Sequence, residues 1–172
     1  MLLSDLIDGD LIKLEIESTK KEDIIKEMVE LFEKKGVIGD KRKVIDAVMQ
    51  REQIESTAIG EGIAIPHCRS SEVKELKVAL GISRKGVDFE ALDGKPVYVI
   101  FMILAPEKAR KEYIQTVAKI ARLLKSKIMR EALKKATSED DIIKVIADFD
   151  GIAPEEVKVK MKKGRVIYKQ EE

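Results

Sequence analysis

Lys95-Pro96-Val97-Tyr98-Val99-Ile100-Phe101-Met102-Ile103-Leu104-Ala105-Pro106 is the stretch whose reading decides the fold. Its apolar run, Val97 to Ala105, is nine residues long and is bounded by Lys95-Pro96 and Pro106. Proline lacks an N–H and is poorly tolerated inside a sheet ladder, so the run has firm limits. Nine residues fall well short of the roughly 20 that a membrane span requires, and they suit a sheet strand. An unbroken apolar run rich in β-branched residues predicts a central strand covered on both faces.

Backwards from this run, Asp93-Gly94 signals a tight turn, Gly86-Val87-Asp88-Phe89 reads as a turn-rich connection, and Lys77 to Ser83 alternates as a strand. Arg69 to Glu75 is polar and reads as a surface loop. Gly39-Asp40 opens a helix whose face is Val44, Ile45, Ala47 and Val48 and which ends near Arg51. Earlier still, Thr19-Lys20-Lys21-Glu22 has capping-box spacing, and Ile24, Ile25, Met28, Val29, Leu31 and Phe32 follow at helical intervals up to Gly36. Leu11 to Ile16 reads as a strand after an N-terminal turn or brief helix.

Forwards from Pro106, apolar residues keep helical spacing between Glu107 and Leu124, and a further helix covers about Ile128 to Lys135. Ser138 with Asp141 caps another helix, which carries Ile142, Ile143, Val145 and Ile146. The order of elements predicts an α/β fold for residues 1–150, a mixed β-sheet sandwiched between helical layers. Residues 151–172 alternate around Lys162-Lys163-Gly164 and predict a C-terminal β-hairpin extension.

A chain of 172 residues can bury the core of one domain. With 33 Lys plus Arg against 32 Asp plus Glu it carries no basic excess, which argues against a nucleic-acid partner. The apolar share of 44% argues against disorder. A single cysteine cannot close an internal disulfide, and the chain opens on no charged-then-apolar leader, so a cytosolic location is expected.

The chemistry concentrates in Glu55-Ser-Thr-Ala-Ile-Gly-Glu-Gly-Ile-Ala-Ile-Pro-His-Cys68, which holds the one histidine of the chain. Ile63-Ala64-Ile65 reads as a short strand that Pro66 stops, so His67 projects from a stiff strand end. An imidazole is neutral near pH 7, forms a labile bond to phosphorus and leaves readily, the properties of a phosphoryl acceptor that must pass its cargo on. Such a transfer needs in-line positioning and donors for the phosphoryl oxygens. Gly60 and Gly62 offer backbone N–H groups, Arg51 a planar guanidinium, Ser56 and Thr57 hydroxyls. Plainer readings stand beside these: a surface histidine after a proline, glycines that turn the chain, an arginine on the last carbonyls of a helix, hydroxyls that cap a turn. Cys68 reads as a small buried hydrophobe, and one histidine with one cysteine is too few ligands for zinc.

Arg51-Glu52, Ser56-Thr57, Gly60-x-Gly62, Ile63-Ala64-Ile65-Pro66-His67 and Asp93-Gly94-Lys95-Pro96-Val97 together resemble the enzyme IIA domains of the fructose/mannitol class of the sugar phosphotransferase system. The resemblance covers roughly the first 150 residues, a domain's length, and implies the same α/β architecture. It implies a phosphotransferase component in which His67 accepts a phosphoryl group from the carrier HPr and passes it to a IIB domain. Arg51 would then be catalytic, and Thr57, Gly60, Gly62 and Tyr113 would bind the phosphoryl group. It implies no cofactor and no metal, and contact with a membrane only through a permease. Many members of the class place a second histidine where this chain has Tyr113, which also admits a regulatory role like that of the nitrogen-related IIA proteins.

Overall fold

A computed structural model describes residues 2–58 and 60–152. The hairpin expected within 151–172 falls on residues outside that range, apart from Gly151 and Ile152.

The apolar run forms β5 (Val97–Ala105), buried along its length except at Tyr98. Its inner neighbour is β4 (Lys77–Val87), antiparallel to it, and β1 (Ile12–Lys13) runs parallel on the far side of β4. On the other side of β5 lie β2 (Ile63–Ala64) and β3 (His67–Arg69), both parallel to it. The five strands make one mixed sheet. Helix α1 (Lys21–Lys35) packs on α2 (Lys41–Ile54) and on β4, while α2 touches β3. Helices α3 (Arg110–Leu123) and α4 (Lys127–Lys135) pack against β5, and α5 (Glu139–Asp150) against α4.

The core is aliphatic, with Phe32, Phe89 and Phe101 the largest side chains fully enclosed. Full burial of a side chain of that size contributes about 1.5–3 kcal/mol. The two ends of the domain are tied together, since the Asp150 carboxylate accepts the N–H groups of Leu3 at 3.0 Å and Ser4 at 2.7 Å.

Several expected boundaries move, each for a local reason. The Thr19 capping box does not form: Lys20 is the residue that precedes α1 and makes no side-chain cap, and a bridge to Asp88 holds it extended. The strand expected over Leu11 to Ile16 shrinks to β1 because Asp8 caps a 3-10 turn, Gly9–Leu11, that uses its first residue. Strand β4 continues through the supposed connection to Val87 by way of a register shift after Ile82, a bulge in place of a turn. It also buries six consecutive residues, Val78 to Ser83, where alternation was expected, because both its faces are covered. Arg69, read as the start of a loop, ends β3.

Pro66 interrupts the strand, as the sequence predicts, since β2 ends before it and β3 begins after it, but the register survives. Ile63 pairs opposite Val99 and His67 opposite Ile103, so the same offset continues across the proline. Among the described residues β2 and β3 form a sheet edge, and Pro66, which faces β5, still accepts the Ile103 N–H at 3.0 Å, so the ladder loses only the donor that proline lacks. Helix α2 runs to Ile54, one turn past Arg51. Its N-cap is Asp40, as the sequence predicts, with the carboxylate accepting from Arg42 and Lys43 N–H.

Candidate functional site

Three elements meet at His67: β3, which carries it, the last turn of α2 with Arg51, and the first turn of α3 with Tyr113. His67 is partly buried, and its Nδ1 lies 2.6 Å from the carbonyl oxygen of Ile65. A carbonyl oxygen only accepts, so Nδ1 carries the proton and the lone pair of the neutral ring sits on Nε2. Burial is the main reason that His67 titrates below the ordinary imidazole range. The Ile65 bond opposes this shift, the charge of Arg51 adds to it, and the charge of Glu52 opposes it. The ring is therefore neutral at pH 7.

Tyr113 stands beside it, the ring centroids 5.6 Å apart and the planes tilted by 53°. Burial pushes the Tyr113 hydroxyl up to about 12, so it keeps its proton at neutral pH. Arg51 donates from Nη1 to the carbonyl of Glu55 at 3.2 Å, and its charge acts on both His67 and Tyr113. The helix-end contact and the proximity to His67 thus occur together.

Arg69 belongs to the cluster and was missed by the sequence reading. Its guanidinium carbon lies 5.8 Å from the Tyr113 ring centroid, and its Nη1 donates to the Glu107 carbonyl at 2.6 Å. The signal was present: residues i and i+2 of a strand share a face, but the polar run from Arg69 onward read as loop. The intervening Cys68 is buried, and burial raises its thiol to about 12, so it stays protonated. No group of three or more His, Cys, Asp or Glu able to hold a metal occurs among the described residues.

Thr57 and the glycines take other positions. The Thr57 hydroxyl donates to the buried carboxylate of Glu52, which also accepts the Thr57 N–H at 3.2 Å and pairs with Lys21 Nζ at 2.9 Å. That hydroxyl is committed within the protein. Ser56 likewise donates to the Phe89 carbonyl at 3.3 Å. Gly60 and Gly62 flank a tight turn in which Ile63 N–H donates to Gly60 O at 3.3 Å. Glu61 and Gly62 both have positive φ, 62° and 75°, the signature of a type I′ turn. A Cβ on Gly62 would come within 3.1 Å of the Tyr98 ring. Gly60 also lines a cleft of about 400 Å³ with Ile63, Ile65, Ala121 and Leu124, beside the charged Glu61, Lys125 and Arg130.

This arrangement defines a class before it defines a family: an open mixed sheet with a sheet-edge histidine, flanked among the described residues by five α-helices. The nitrogen regulatory protein IIA-Ntr from Neisseria meningitidis has the same fold, with a TM-score of 0.78, 31% identity, and coverage of 84% of this chain and 98% of that one. Residues 5–149 match the family described as phosphoenolpyruvate-dependent sugar phosphotransferase system, EIIA 2, and the chain belongs to that family. The fructose-specific EIIABC component of Bacillus subtilis is 41% identical over 150 residues, 87% of this chain but only 24% of that protein. The fructose-specific EIIA component of Haloferax volcanii is 33% identical over 146 residues, 85% of this chain and 95% of that one. The chain is thus a IIA-type phosphotransfer domain, and none of its described helices is long and apolar enough to cross a membrane.

Proposed function

We propose that His67 accepts a phosphoryl group through Nε2 from the phosphohistidine of an HPr-like carrier and delivers it to a IIB domain for sugar uptake. The observation that carries this reading is the Nδ1 contact with Ile65 O, which leaves the Nε2 lone pair free on a ring held neutral. In the transfer the P–N bond to the donor imidazole breaks as the bond to Nε2 forms, and the electron pair of the broken bond stays on the donor nitrogen. His67 then carries the positive charge of an imidazolium, and its Nδ1–H donates more strongly to Ile65 O. Arg51 is suited to bind phosphoryl oxygens with the N–H groups that Glu55 does not use. Tyr113 offers a neutral hydroxyl, and Gly60 borders the cleft that also reaches Ile65, two residues before His67. Thr57 acts at one remove, through Glu52. Fusion of A, B and C components in the Bacillus relative supports a IIB acceptor.

The 31% identity to a nitrogen regulatory protein over most of its length supports a second reading, in which the phosphorylation state of His67 controls docking on other proteins. Incubation with phosphoenolpyruvate, enzyme I and HPr is expected to place one acid-labile phosphoryl group on the wild type and none on His67→Ala. Labelling of that variant would remove His67 from the mechanism. Delivery of the label to a fructose-type IIB separates transport from regulation.

A further inference from the structure

Strand β3 presents His67 and Arg69 on one side, with Cys68 turned into the core between them. Two residues along a strand span about 6.6 Å, within the reach of an arginine side chain. The Arg69 guanidinium carbon lies 5.8 Å from the centroid of the ring that itself stands 5.6 Å from the His67 ring. Two contacts hold it there: the face of Tyr113 and the Glu107 carbonyl, which takes one N–H at 2.6 Å. Glu107 and Tyr113 flank the start of α3, so the segment that places the ring also places the cation. A guanidinium carries five N–H donors, and most of those on Arg69 stay available. Among the described residues no carboxylate pairs with it within 4.0 Å, so its charge is not neutralised locally.

We propose that Arg69 is a second phosphoryl-binding cation of this site, which together with Arg51 clamps the phosphoryl group carried on His67; this rests on the acceptor reading given above. A phosphoryl group brings a charge of about −1.5 to −2 and three acceptor oxygens. Arginine meets such a group with charge-assisted bonds and with a planar fork that lysine lacks. Stacking on Tyr113 fixes the plane of that fork before the phosphoryl group arrives, so little side-chain freedom is lost on binding. Tyr113 on this account is a platform as well as a neighbour of His67, and the site holds two permanent positive charges.

The test compares wild type with Arg69→Gln and Arg69→Lys, each phosphorylated through phosphoenolpyruvate, enzyme I and HPr. Arg69 is exposed, so both variants are expected to fold, with circular dichroism as the check. Loss of charge-assisted bonds predicts a fall of about 10- to 100-fold in the transfer rate of Arg69→Gln. Phosphorus NMR is expected to show the phosphoryl dianion of that variant taking up a proton at higher pH than in wild type. Arg69→Lys is expected to restore the phosphoryl titration, since the charge returns, but only part of the rate, since the fork does not. A merely structural role would leave the titration untouched. A labelled Arg69→Gln protein with wild-type rate and titration overturns the assignment of Arg69 alone, whereas a wild type that takes no label overturns the His67 reading and this one together.

Discussion

The buried pair of Glu52 and Lys21 makes a quantitative test of what holds the site in place. Glu52 has 1% of its side chain exposed and Lys21 10%. At 2.9 Å and an effective dielectric constant near 20 their gross attraction is about 6 kcal/mol. Taking two ions out of water costs several kcal/mol each, so the net contribution of the pair is small while the loss of one partner is expensive. Replacing Glu52 with Leu leaves the Lys21 ammonium only the exposed Glu90 carboxylate at 3.9 Å and the face of Phe89, and strands the Thr57 N–H and hydroxyl, so a loss of about 3–5 kcal/mol is expected. For a chain of this size that lowers Tm by roughly 6–20 °C. Lys21→Met strands only the carboxylate, which Thr57 still serves, so its loss should lie at the lower end of that range. The double variant has no orphan ion, and about 1–3 kcal/mol should remain for the unpaired Thr57 groups. Guanidinium denaturation of the four proteins at pH 7, at constant m, gives the coupling energy, the sum of the single losses less the double, expected at about 3–7 kcal/mol. Strictly additive single losses would refute the reasoning, because they would mean that neither ion depends on the other.

His67 titrates below its unfolded value, so the sign of its pH effect is fixed: above about pH 6.5 it is neutral in both states, and as pH falls the unfolded chain takes up a proton that the fold resists. Stability should fall with a slope of at most about 1.4 kcal/mol per pH unit, and His67→Gln, compared by denaturation at pH 7.5 and 5.5, should lack that component. Gly62→Ala meets both a positive φ and the Tyr98 ring, whereas Gly94→Ala at φ 73° meets nothing within 4 Å. Both should lose about 1–3 kcal/mol of backbone strain, with the excess for Gly62 measuring the Tyr98 contact; equal losses would show that the ring gives way. Tyr113→His would set a second imidazole beside His67, and transfer rates measured from pH 5.5 to 8 should acquire a dependence through about pH 6.5 that the parent lacks. Matching profiles would place residue 113 outside the reaction.

The elements that carry strong periodicity were legible in the sequence. Strand β5, helices α1, α2, α4 and α5 and the Asp40 and Ser138 caps follow from apolar spacing and local hydrogen bonding. The position of Tyr113 beside His67 followed from the family resemblance. What failed to show was set by partners distant in sequence. Lys20 stays out of α1 because Asp88, far along the chain, pairs with it. Thr57 looked available because nothing local reveals that Glu52 is buried and needs its hydroxyl. Arg69 looked like loop because three residues of edge strand are too few for alternation to register.

The edge formed by β2 and β3 has a bearing on how its phosphorylated state can be imitated. Beside Pro66 both outward backbone groups of Ile65 are occupied: its N–H donates to Thr57 O at 3.3 Å, and its carbonyl takes the Nδ1–H of His67. An open edge invites strand addition by another chain, and here the nucleophile itself closes one gap. Exchanging the histidine for aspartate or glutamate, as is done to mimic a phosphate, would face one acceptor with another and leave the carbonyl unserved. Such a protein would carry the negative charge and also a loosened edge, so a gain in binding or self-association could report the edge and be mistaken for the charge. Glutamine, whose amide can donate to the same carbonyl, is the substitution that leaves the edge closed.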